Sequence, residues 1–412
     1  GGSIPLPARA QPVSTLAVEV ALPDPGVLSS RLGAVSTKKL TATASAVLGP
    51  DGTPLLVRDR AMVPASTMKL FTALAAVDVL GADRRFTTKV VSARKGRLTL
   101  VAGGDPFLTV HKSKSSAKPA NLDALVRATA RSLKAQQVKR VTLTYDARLF
   151  SGASYSASWK KSWASYTPRI MALTVSGGKS GGRAYTNPAA STTRLFASLL
   201  RAKGFTVNYG GAAKAAKGAT LVASVSSAPV GSIVRRMLRV SDNVAAEMLA
   251  RHVARAVGRP GSFSGGSAAI TDWLKGHRLW KKGMKIDGGS GLSSLTKVYP
   301  SVLARAVGFA LADPAFVDVV KGLPTAGVNG TLEHRFDDAV EKAGRVVVHA
   351  KTGTLRKVSA LAGYVTTADG AVLTFAFLAT HNGTHSAAAA NWLDRSAAVL
   401  AGCGCQLARP AS

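Results

Sequence analysis

The spacing of apolar residues changes along the chain, and each spacing predicts a different element. From Thr41, TATASAVLGPDGTPLLVRD alternates like two strands joined by a glycine-containing turn. From Leu70, LFTALAAVDVLGAD carries apolar residues on every face, which is typical of a helix buried on all sides. Near the C-terminus, VVVHAKTGTL and SALAGYVTTADGAVLTFAFLAT return to strand-like alternation, with an Ala-Asp-Gly turn. These segments predict an α/β fold of the α+β type, in which helices from both chain ends pack on an antiparallel sheet.

The middle of the chain predicts a different pattern of secondary structure. Short strands (RLTLVAGG, RVTLTYD) occur there together with helices (LDALVRATARSLKAQ, TTRLFASLLRAKG). With 412 residues, 46% of them apolar, the chain is too long for one compact domain. We therefore predict that residues 90–224 form an inserted α/β domain and that residues 16–89 and 225–405 together form one discontinuous domain.

The charge of the chain is uneven. The formal net charge is +33, and residues 81–300 hold 37 lysines and arginines against 8 acidic residues. Such a segment faces a polyanion or tolerates one. The chain has no zinc-finger spacing or other nucleic-acid module, and only 6% of its residues are aromatic, so no specific nucleic acid is expected. An anionic cell-wall polymer or membrane surface fits the charge equally well, and an ordinary solvated basic surface stays open as the plain alternative.

The chain ends add little chemistry. GGSIPLPARAQPV resembles the start of a mature protein whose signal peptide has been removed, although export is inferred only from function. No run of about 18 apolar residues predicts a membrane-spanning helix. Cys403 and Cys405 lie too close for an easy disulfide, although a strained bridge stays open, and two cysteines are too few for a metal site. We predict no metal and no cofactor.

The segment VPASTMKLFTALAAVDVLG places Ser66 three residues before Lys69. The S-x-x-K spacing is weak evidence by itself, because it recurs at Ser36/Lys39, Ser294/Lys297 and elsewhere. A serine hydroxyl needs a base within hydrogen-bond reach to act as a nucleophile, and residues i and i+3 of a helix share one face. Because Lys69 begins an apolar helix, burial would lower its pKa and make it a usable base.

Two further short motifs have chemical interest. Ser241-Asp242-Asn243 is the only S-x-N in the chain and interrupts a helical pattern, so its plain alternative is a helix N-cap. Lys351-Thr352-Gly353-Thr354 contains the only K-T-G and lies in a strand-like region, so its plain alternative is a strand end with a glycine bulge. The set S-x-x-K, S-x-N and K-T-G belongs to penicillin-binding proteins and class A β-lactamases.

The three motifs in this order, with LVAGGDPFLT, DGGSGLSS and LPTAGVNGTLEHR between them, resemble the low-molecular-mass class C penicillin-binding proteins. These are the D-alanyl-D-alanine carboxypeptidase/endopeptidases of the S13 type. The resemblance implies a transpeptidase domain like that of serine β-lactamases, with an antiparallel sheet flanked by helices, and an inserted α/β domain. It also implies hydrolysis of peptidoglycan stem peptides through an acyl-enzyme and covalent inhibition by β-lactam antibiotics.

The resemblance assigns a role to each residue of the proton path. Ser66 would be the acylated nucleophile and Lys69 its base. Ser241 and Lys351 would relay the proton to the leaving D-alanine. Asn243 would hold a peptide amide of the substrate.

The remaining roles concern the two ends of the substrate. Thr352 and Thr354, with Gly353 between them, would bind the terminal carboxylate. The backbone N–H groups of Ser66 and Thr354 would form the oxyanion hole. Asp146, in TLTYDARLF, matches a family aspartate that can contact the amino end of the stem-peptide side chain.

The sequence departs from the family in two places. Only the Gly-rich turn SGGKSGGR joins the strand ending near Val175 to the NPA segment, where family members can carry a third domain, so that domain is expected to be absent. The family motif D-G-S-G-L-S has one extra glycine here, between Asp287 and Ser290, which leaves the register of this loop open.

Two rival functions remain at this point. Class A β-lactamases use a glutamate to activate water, but none of the four glutamates lies between Ser66 and Ser241, so slow deacylation is expected. The other rival is a catalytically weak cell-wall-binding protein that uses its basic surface. From the function that the resemblance implies, an exported location is expected, periplasmic or extracellular and associated with the cell wall.

Overall fold

The structure is a computed structural model, and it describes Val20 and residues 22–402. Cys403 and Cys405, and the first residues of the predicted segment 16–89, lie outside the described residues. No helix in the described part of the chain is long and apolar enough to cross a membrane.

The described chain contains the following helices and strands. The helices are α1 (Pro25–Gly33), α2 (Lys69–Leu80), α3 (Leu122–Ala135), α4 (Pro188–Ala202), α5 (Val230–Val240), α6 (Asn243–Ala256), α7 (Phe263–Gly276), α8 (Pro300–Ala312), α9 (Val317–Gly322) and α10 (Ser386–Gly402). The strands are β1 (Leu40–Leu48), β2 (Pro54–Arg58), β3 (Thr87–Arg94), β4 (Arg97–Val101), β5 (Arg140–Asp146), β6 (Lys179–Ser180), β7 (Arg183–Ala184), β8 (Thr206–Ala212), β9 (Thr220–Ser226), β10 (Val348–Leu355), β11 (Val358–Thr366) and β12 (Val372–His381).

The first sheet joins both ends of the described chain in the order β10-β11-β12-β1-β2, with every pair antiparallel. Its strands bury both faces, because alternate residues point to opposite sides. Ala46 and its cross-strand partner Ala376 face the core that contains α2, α6 and α8. Val47 and its partner Phe375 face the core formed with α1 and α10. The predicted fold class is confirmed.

The second sheet is built from the middle of the chain in the order β8-β5-β4-β3-β9. The pairs β4/β5 and β5/β8 are parallel and the other pairs are antiparallel, and α3 and α4 pack with this sheet in a core of its own. The predicted boundaries at residues 90 and 224 fall inside β3 and β9, so the two-domain division stays a prediction. The short β6–β7 hairpin connects the segment ending near Val175 to α4.

Helix α6 contributes both to the core that contains α2 and α8 and to the core of the second sheet. Ala246 and Leu249 pack with α2 and α7 in the core next to the first sheet. Val244 and Met248, on another side of the same helix, pack into the core of the second sheet. This helix therefore fixes the position of the second sheet relative to the residues at its own N-terminus.

Candidate active site

Ser66 lies in a tight turn between Pro64 and α2. A 3-10 helix covers Ala65–Met68, and α2 follows at once, buried along most of its length. The hydroxyl of Thr67 donates to the carbonyl of Pro64 at 2.7 Å, and Ala65 has a φ of 50°. The serine is therefore held in a turn just before the helix, and not in the α-helix that the spacing suggested.

Two glycines pack directly against this turn. A Cβ added to Gly291, whose φ is +85°, would lie 1.9 Å from the carbonyl oxygen of Ala65. A Cβ added to Gly353 would lie 2.7 Å from the carbonyl oxygen of Pro64 and 3.1 Å from the backbone nitrogen of Ser66. The K-T-G strand β10 thus reaches the turn that holds Ser66, and glycine is required because any side chain would separate the two backbones.

The amine of Lys69 has three partners around Ser66. Its Nζ lies 2.7 Å from Ser66 Oγ, 2.7 Å from Asn243 Oδ1 and 2.8 Å from the carbonyl oxygen of Ser290, and the side chain is fully buried. The amide and carbonyl oxygens only accept, whereas the serine hydroxyl can donate or accept. A neutral amine, with two N–H groups and a lone pair, satisfies this set as completely as an ammonium does.

Burial makes the neutral form of Lys69 accessible. Desolvation lowers the pKa of Lys69 to about 7, although the negative charges of Asp242 and Glu247 act in the opposite direction. The lysine can therefore accept a proton near neutral pH, and the atom from which it would take the proton is the hydroxyl 2.7 Å away.

The S-x-N motif lies between α5 and α6. Ser241 ends α5 in the left-handed conformation, with a φ of 59°, and Asp242 caps α6 by accepting from the backbone nitrogen of Ala245 at 2.8 Å. The plain prediction of a helix cap is therefore correct for Asp242. The same turn points the neighbouring side chains to the site, because Asn243 contacts Lys69 and Ser241 contacts Lys351.

Lys351 is the second buried lysine of the site. Its Nζ donates to Ser241 Oγ at 3.0 Å and to the backbone carbonyl of Thr352 at 2.7 Å. Burial, together with the charge of Lys69, holds the pKa of Lys351 well below its usual range. A positive charge on Lys69 therefore disfavours a second positive charge on Lys351.

Strand β10 is an edge strand, and its outer edge faces a short segment around Ala326. On that edge, Val348 accepts from the nitrogen of Ala326 and Ala350 donates to the carbonyl of Pro324. Because backbone groups of alternate residues point to the same edge, those of Thr352 and Thr354 share this orientation. The hydroxyl of Thr352 lies 2.6 Å from that of Thr331.

The sequence analysis missed two contributors to the site. One oxygen of Glu247 accepts from the backbone nitrogens of Gly289 and Ser290, at 2.8 and 2.9 Å, and this orients the Ser290 carbonyl toward Lys69. The carboxyl is buried, which raises the pKa of Glu247. The signal was present: Glu247 follows Asn243 by four residues, so both lie on one face of α6.

The same contacts settle the register of the loop with the extra glycine. A Cβ on Gly288 would lie 2.7 Å from Glu247 Oε1, and one on Gly289 would lie 2.8 Å from the carbonyl of Ala246. Both glycines therefore lie against α6, and Ser290 is the residue presented to Lys69.

Asp146 lies apart from this network, at the end of β5 in the second sheet. Its carboxylate accepts from Arg148 Nε at 3.0 Å and Nη2 at 2.8 Å, and from the backbone nitrogen of Ala215 at 2.9 Å. These bonds lower the pKa of Asp146 despite its partial burial. An amine could be bound there only in competition with Arg148, so the role assigned to Asp146 stays a prediction.

A serine with a buried lysine partner, next to a second serine–lysine pair and a glycine-flanked edge strand, defines the penicillin-binding class of serine acyl-transfer sites. The model of the D-Ala-D-Ala carboxypeptidase 3 (S13) family matches residues 51–181 and 177–401. The chain belongs to this family. It is a serine-type D-Ala-D-Ala carboxypeptidase, a hydrolase.

Similar proteins agree with this assignment. The chain is 32% identical to Carboxypeptidase DacB of Mycolicibacterium smegmatis over 98% of this chain and 86% of that protein. The fold matches penicillin-binding protein 4 (dacB) of Haemophilus influenzae with a TM-score of 0.77, at 21% identity, over 90% of this chain and 98% of that one. It also matches a penicillin G-acylated predatory endopeptidase of Bdellovibrio bacteriovorus, with a TM-score of 0.51 at 18% identity over 86% and 90% of the two chains.

Proposed function

We propose that this carboxypeptidase cleaves the D-Ala-D-Ala bond of peptidoglycan stem peptides through an acyl-enzyme on Ser66. The observation that carries the proposal is the contact of Lys69 Nζ with Ser66 Oγ at 2.7 Å inside a buried site. The similarity of the chain to a carboxypeptidase and to an endopeptidase supports both reactions for this site. A cross-link has the same bond chemistry as the terminal dipeptide, so DD-endopeptidase activity belongs to the proposal.

Acylation needs one proton transfer from the Ser66 hydroxyl to its base and one proton transfer to the leaving amine, so the site neither gains nor loses a proton overall. Neutral Lys69 removes the proton from Ser66 Oγ, which forms a bond to the carbonyl carbon of the penultimate D-alanine. When the tetrahedral intermediate collapses, the peptide C–N bond breaks and the leaving amine of D-alanine takes a proton through Ser241 and Lys351. The contact between these two side chains, at 3.0 Å, supports this path.

The negative charge of the intermediate requires fixed donors. The backbone N–H groups of Ser66 and Thr354 are proposed to form the oxyanion hole, and each such donor is worth roughly 3–4 kcal/mol in the transition state. The close approach of Gly353 to the nitrogen of Ser66, and the outward orientation of Thr354 on the edge of β10, support this pair.

The same edge is proposed to bind the substrate. Thr352 and Thr354, with Gly353 between them, would hold the terminal carboxylate, and Asn243 would bind a peptide amide. A carboxylate next to Lys351 would favour the charged form of this lysine and so oppose the effect of burial, which lowers its pKa.

Hydrolysis of a β-lactam acyl-enzyme is proposed to be slow. A class A β-lactamase activates water with a glutamate, whereas Glu247 is buried and bonded to two backbone nitrogens. We therefore expect covalent and lasting inhibition by β-lactam antibiotics. The alternative of a catalytically weak wall-binding protein has less support, because Lys69 and Lys351 are both engaged with serines of the site.

The substrate implies a location. We propose that the protein is exported and acts at the cell wall, and that its basic segment contacts anionic wall polymers. Fractionation of the producing bacterium, followed by pelleting of the protein with purified wall at rising salt, tests both points. We expect the protein in the envelope fraction and a steep loss of pelleting with salt, whereas salt-independent pelleting would contradict the electrostatic contact.

The activity itself is tested by mass spectrometry. The wild-type protein should gain the mass of penicillin and should release D-alanine from a peptide that ends in D-Ala-D-Ala, and Ser66→Ala should do neither. A dimeric cross-linked peptide in the same assay reports endopeptidase activity. Penicillin adduct formation by the Ser66→Ala variant would refute the assignment of the nucleophile.

A further inference from the structure

A second cleft lies between the second sheet and the C-terminal part of α6. It encloses about 400 Å³ and is formed by the segment before and within β3, the end of β4 and the last turns of α6. Its lining includes four cationic residues, which are Arg84, Arg85, Lys89 and Arg255. His252 follows Asn243 by nine residues, so the cleft lies about 14 Å along the helix from the catalytic end.

The cationic groups of this cleft are available to a ligand. All four residues are exposed. Within the described part of the chain, none of them forms an ion pair with a carboxylate. Even Asp83, the neighbour of Arg84 in sequence, forms no ion pair with any of the four. Arg85 uses one nitrogen to donate to the carbonyl of Ser227 at 2.9 Å, which fixes this side chain at the edge of the cleft.

The floor of the cleft is rigid. The buried ring of His252 stacks on Phe86, with centroids 3.8 Å apart and planes 4° apart, and its Nε2 is 2.9 Å from the carbonyl oxygen of Gly104. A Cβ on Gly103 would lie 2.1 Å from the carbonyl of Thr87, so the β4 end packs tightly against β3. Burial and the nearby charges of Arg84 and Arg255 lower the pKa of His252 to about 4, so the cationic charge at neutral pH comes from the arginines and the lysine.

We propose that this cleft binds a phosphodiester group of an anionic cell-wall polymer. Guanidinium groups bind phosphate oxygens through paired, charge-assisted hydrogen bonds, and three arginines with one lysine provide such donors around a single space. The +29 net charge of residues 81–300 would also attract a long polyanion to this part of the protein. The proposal rests on the proposed function only for the cell-wall location.

A phosphodiester polymer with nucleobases fits the cleft less well. Single-stranded nucleic acid is normally held by exposed aromatic rings that stack on bases. The aromatic rings of this cleft, Phe86 and His252, are 2% and 4% exposed and stack on each other. The phosphate group is therefore the feature that the cleft can recognise.

The test compares two double variants of equal charge change. Arg84→Glu with Arg255→Glu alters the cleft, and Arg131→Glu with Lys134→Glu alters exposed positions of α3 outside it. Binding of poly(glycerol phosphate), inorganic phosphate and a single-stranded oligonucleotide of equal phosphate number is measured by calorimetry at fixed low salt. We expect the cleft variant to bind poly(glycerol phosphate) at least about tenfold more weakly than wild type, since charge-assisted bonds are lost. The α3 variant should change binding less than about threefold, as expected for distant surface charges.

Three results would overturn the proposal. Equal weakening of polymer binding by both double variants would show that the polymer responds to charge spread over the surface. Inorganic phosphate bound as tightly as the polymer would show a site for the free ion. Preferential binding of the oligonucleotide would show a nucleic-acid site. Folding is checked by penicillin labelling of Ser66, which both variants should retain. Ser66→Ala should still bind the polymer, so failure of the catalytic assignment and failure of the cleft assignment give different results.

Discussion

Lys69 Nζ lies 2.7 Å from Ser66 Oγ, and the lysine side chain is fully shielded from solvent. The two groups are a proton donor and a proton acceptor only when the amine is neutral. Burial lowers the pKa of Lys69 to about 7, so the reactive form is populated under physiological conditions. The proposed proton transfer from Ser66 to Lys69 therefore depends on the burial of the lysine side chain, because burial lowers its pKa.

The rate of acylation should rise with pH. Below about pH 7 the neutral fraction of Lys69 grows about tenfold per pH unit, and above that value it levels off. The second-order rate constant for penicillin labelling between pH 5 and 9 measures this dependence. A flat profile would contradict Lys69 as the base.

Replacing the base by a permanent cation should abolish this dependence. Lys69→Arg keeps a positive charge, but a guanidinium does not lose its proton in the accessible pH range. We expect labelling to fall about 10²- to 10⁴-fold, the usual worth of a general base. The same labelling assay applies, and a variant that keeps the wild-type rate and pH profile would show that the proton goes elsewhere.

Ser241→Ala should separate the two halves of acylation. Its hydroxyl lies 3.0 Å from Lys351 Nζ, and the two side chains together form the proposed proton path to the leaving amine. An ester analogue that ends in D-lactate leaves without needing a proton, whereas the amide substrate needs one. We expect about a 10²-fold loss of kcat/KM for the peptide and a much smaller loss for the ester. Equal losses would indicate that Ser241 positions both substrates and does not relay a proton.

Glu247→Gln should move the pH profile without destroying the site. The amide oxygen can still accept from Gly289 and Ser290, but the negative charge that raises the pKa of Lys69 is lost. The acid limb of kcat/KM should therefore move to lower pH. Glu247→Ala is the contrasting variant, because it leaves two buried N–H groups unpaired, each worth about 1–3 kcal/mol of the free energy of unfolding. An unmoved acid limb in Glu247→Gln would mean that the carboxyl is neutral in the native site.

Gly291→Ala should distort the turn that holds Ser66, and Gly52→Ala is the control variant. Both glycines have φ near +80°, but a Cβ at position 291 would meet the carbonyl of Ala65 at 1.9 Å while one at position 52 would meet nothing within 4 Å. The control should lose about 1 kcal/mol of unfolding free energy from the backbone conformation alone. Gly291→Ala should lose more and should also label slowly with penicillin. Equal thermal stability and equal labelling of the two variants would contradict the tight contact.

The sequence motifs point to side chains of the proposed site, whereas they carry no information on the backbone groups around them. Lys69 is hydrogen-bonded to Ser66 and Asn243, and Lys351 is hydrogen-bonded to Ser241; each of these side chains was visible because a motif requires a particular residue type. The carbonyl of Ser290 was not predictable, because a backbone acceptor can belong to any residue type. Its position depends on Glu247 and on two glycines that pack against α6.

Tertiary packing also determined what the sequence left open. Residues 87–89 belong to β3 of the second sheet, because they pair with β9, and nothing in the local alternation marks that partner. Asp146 was expected to face a substrate amine, and its pairing with Arg148, two residues away, was overlooked. Its further bond to Ala215 joins segments about seventy residues apart and had no local signal.

Helix α6 has a consequence for any attempt to shorten the enzyme. Its first residue, Asn243, contacts Lys69, while Val244 and Met248 are buried among residues of the second sheet. Excision of the second sheet with α3 and α4 would expose these two apolar side chains to water, on the turns of α6 that carry Asn243 and Glu247. The middle of the chain is thus a structural requirement of the reaction, and a minimal transpeptidase-like fragment of this protein should be inactive even if it folds.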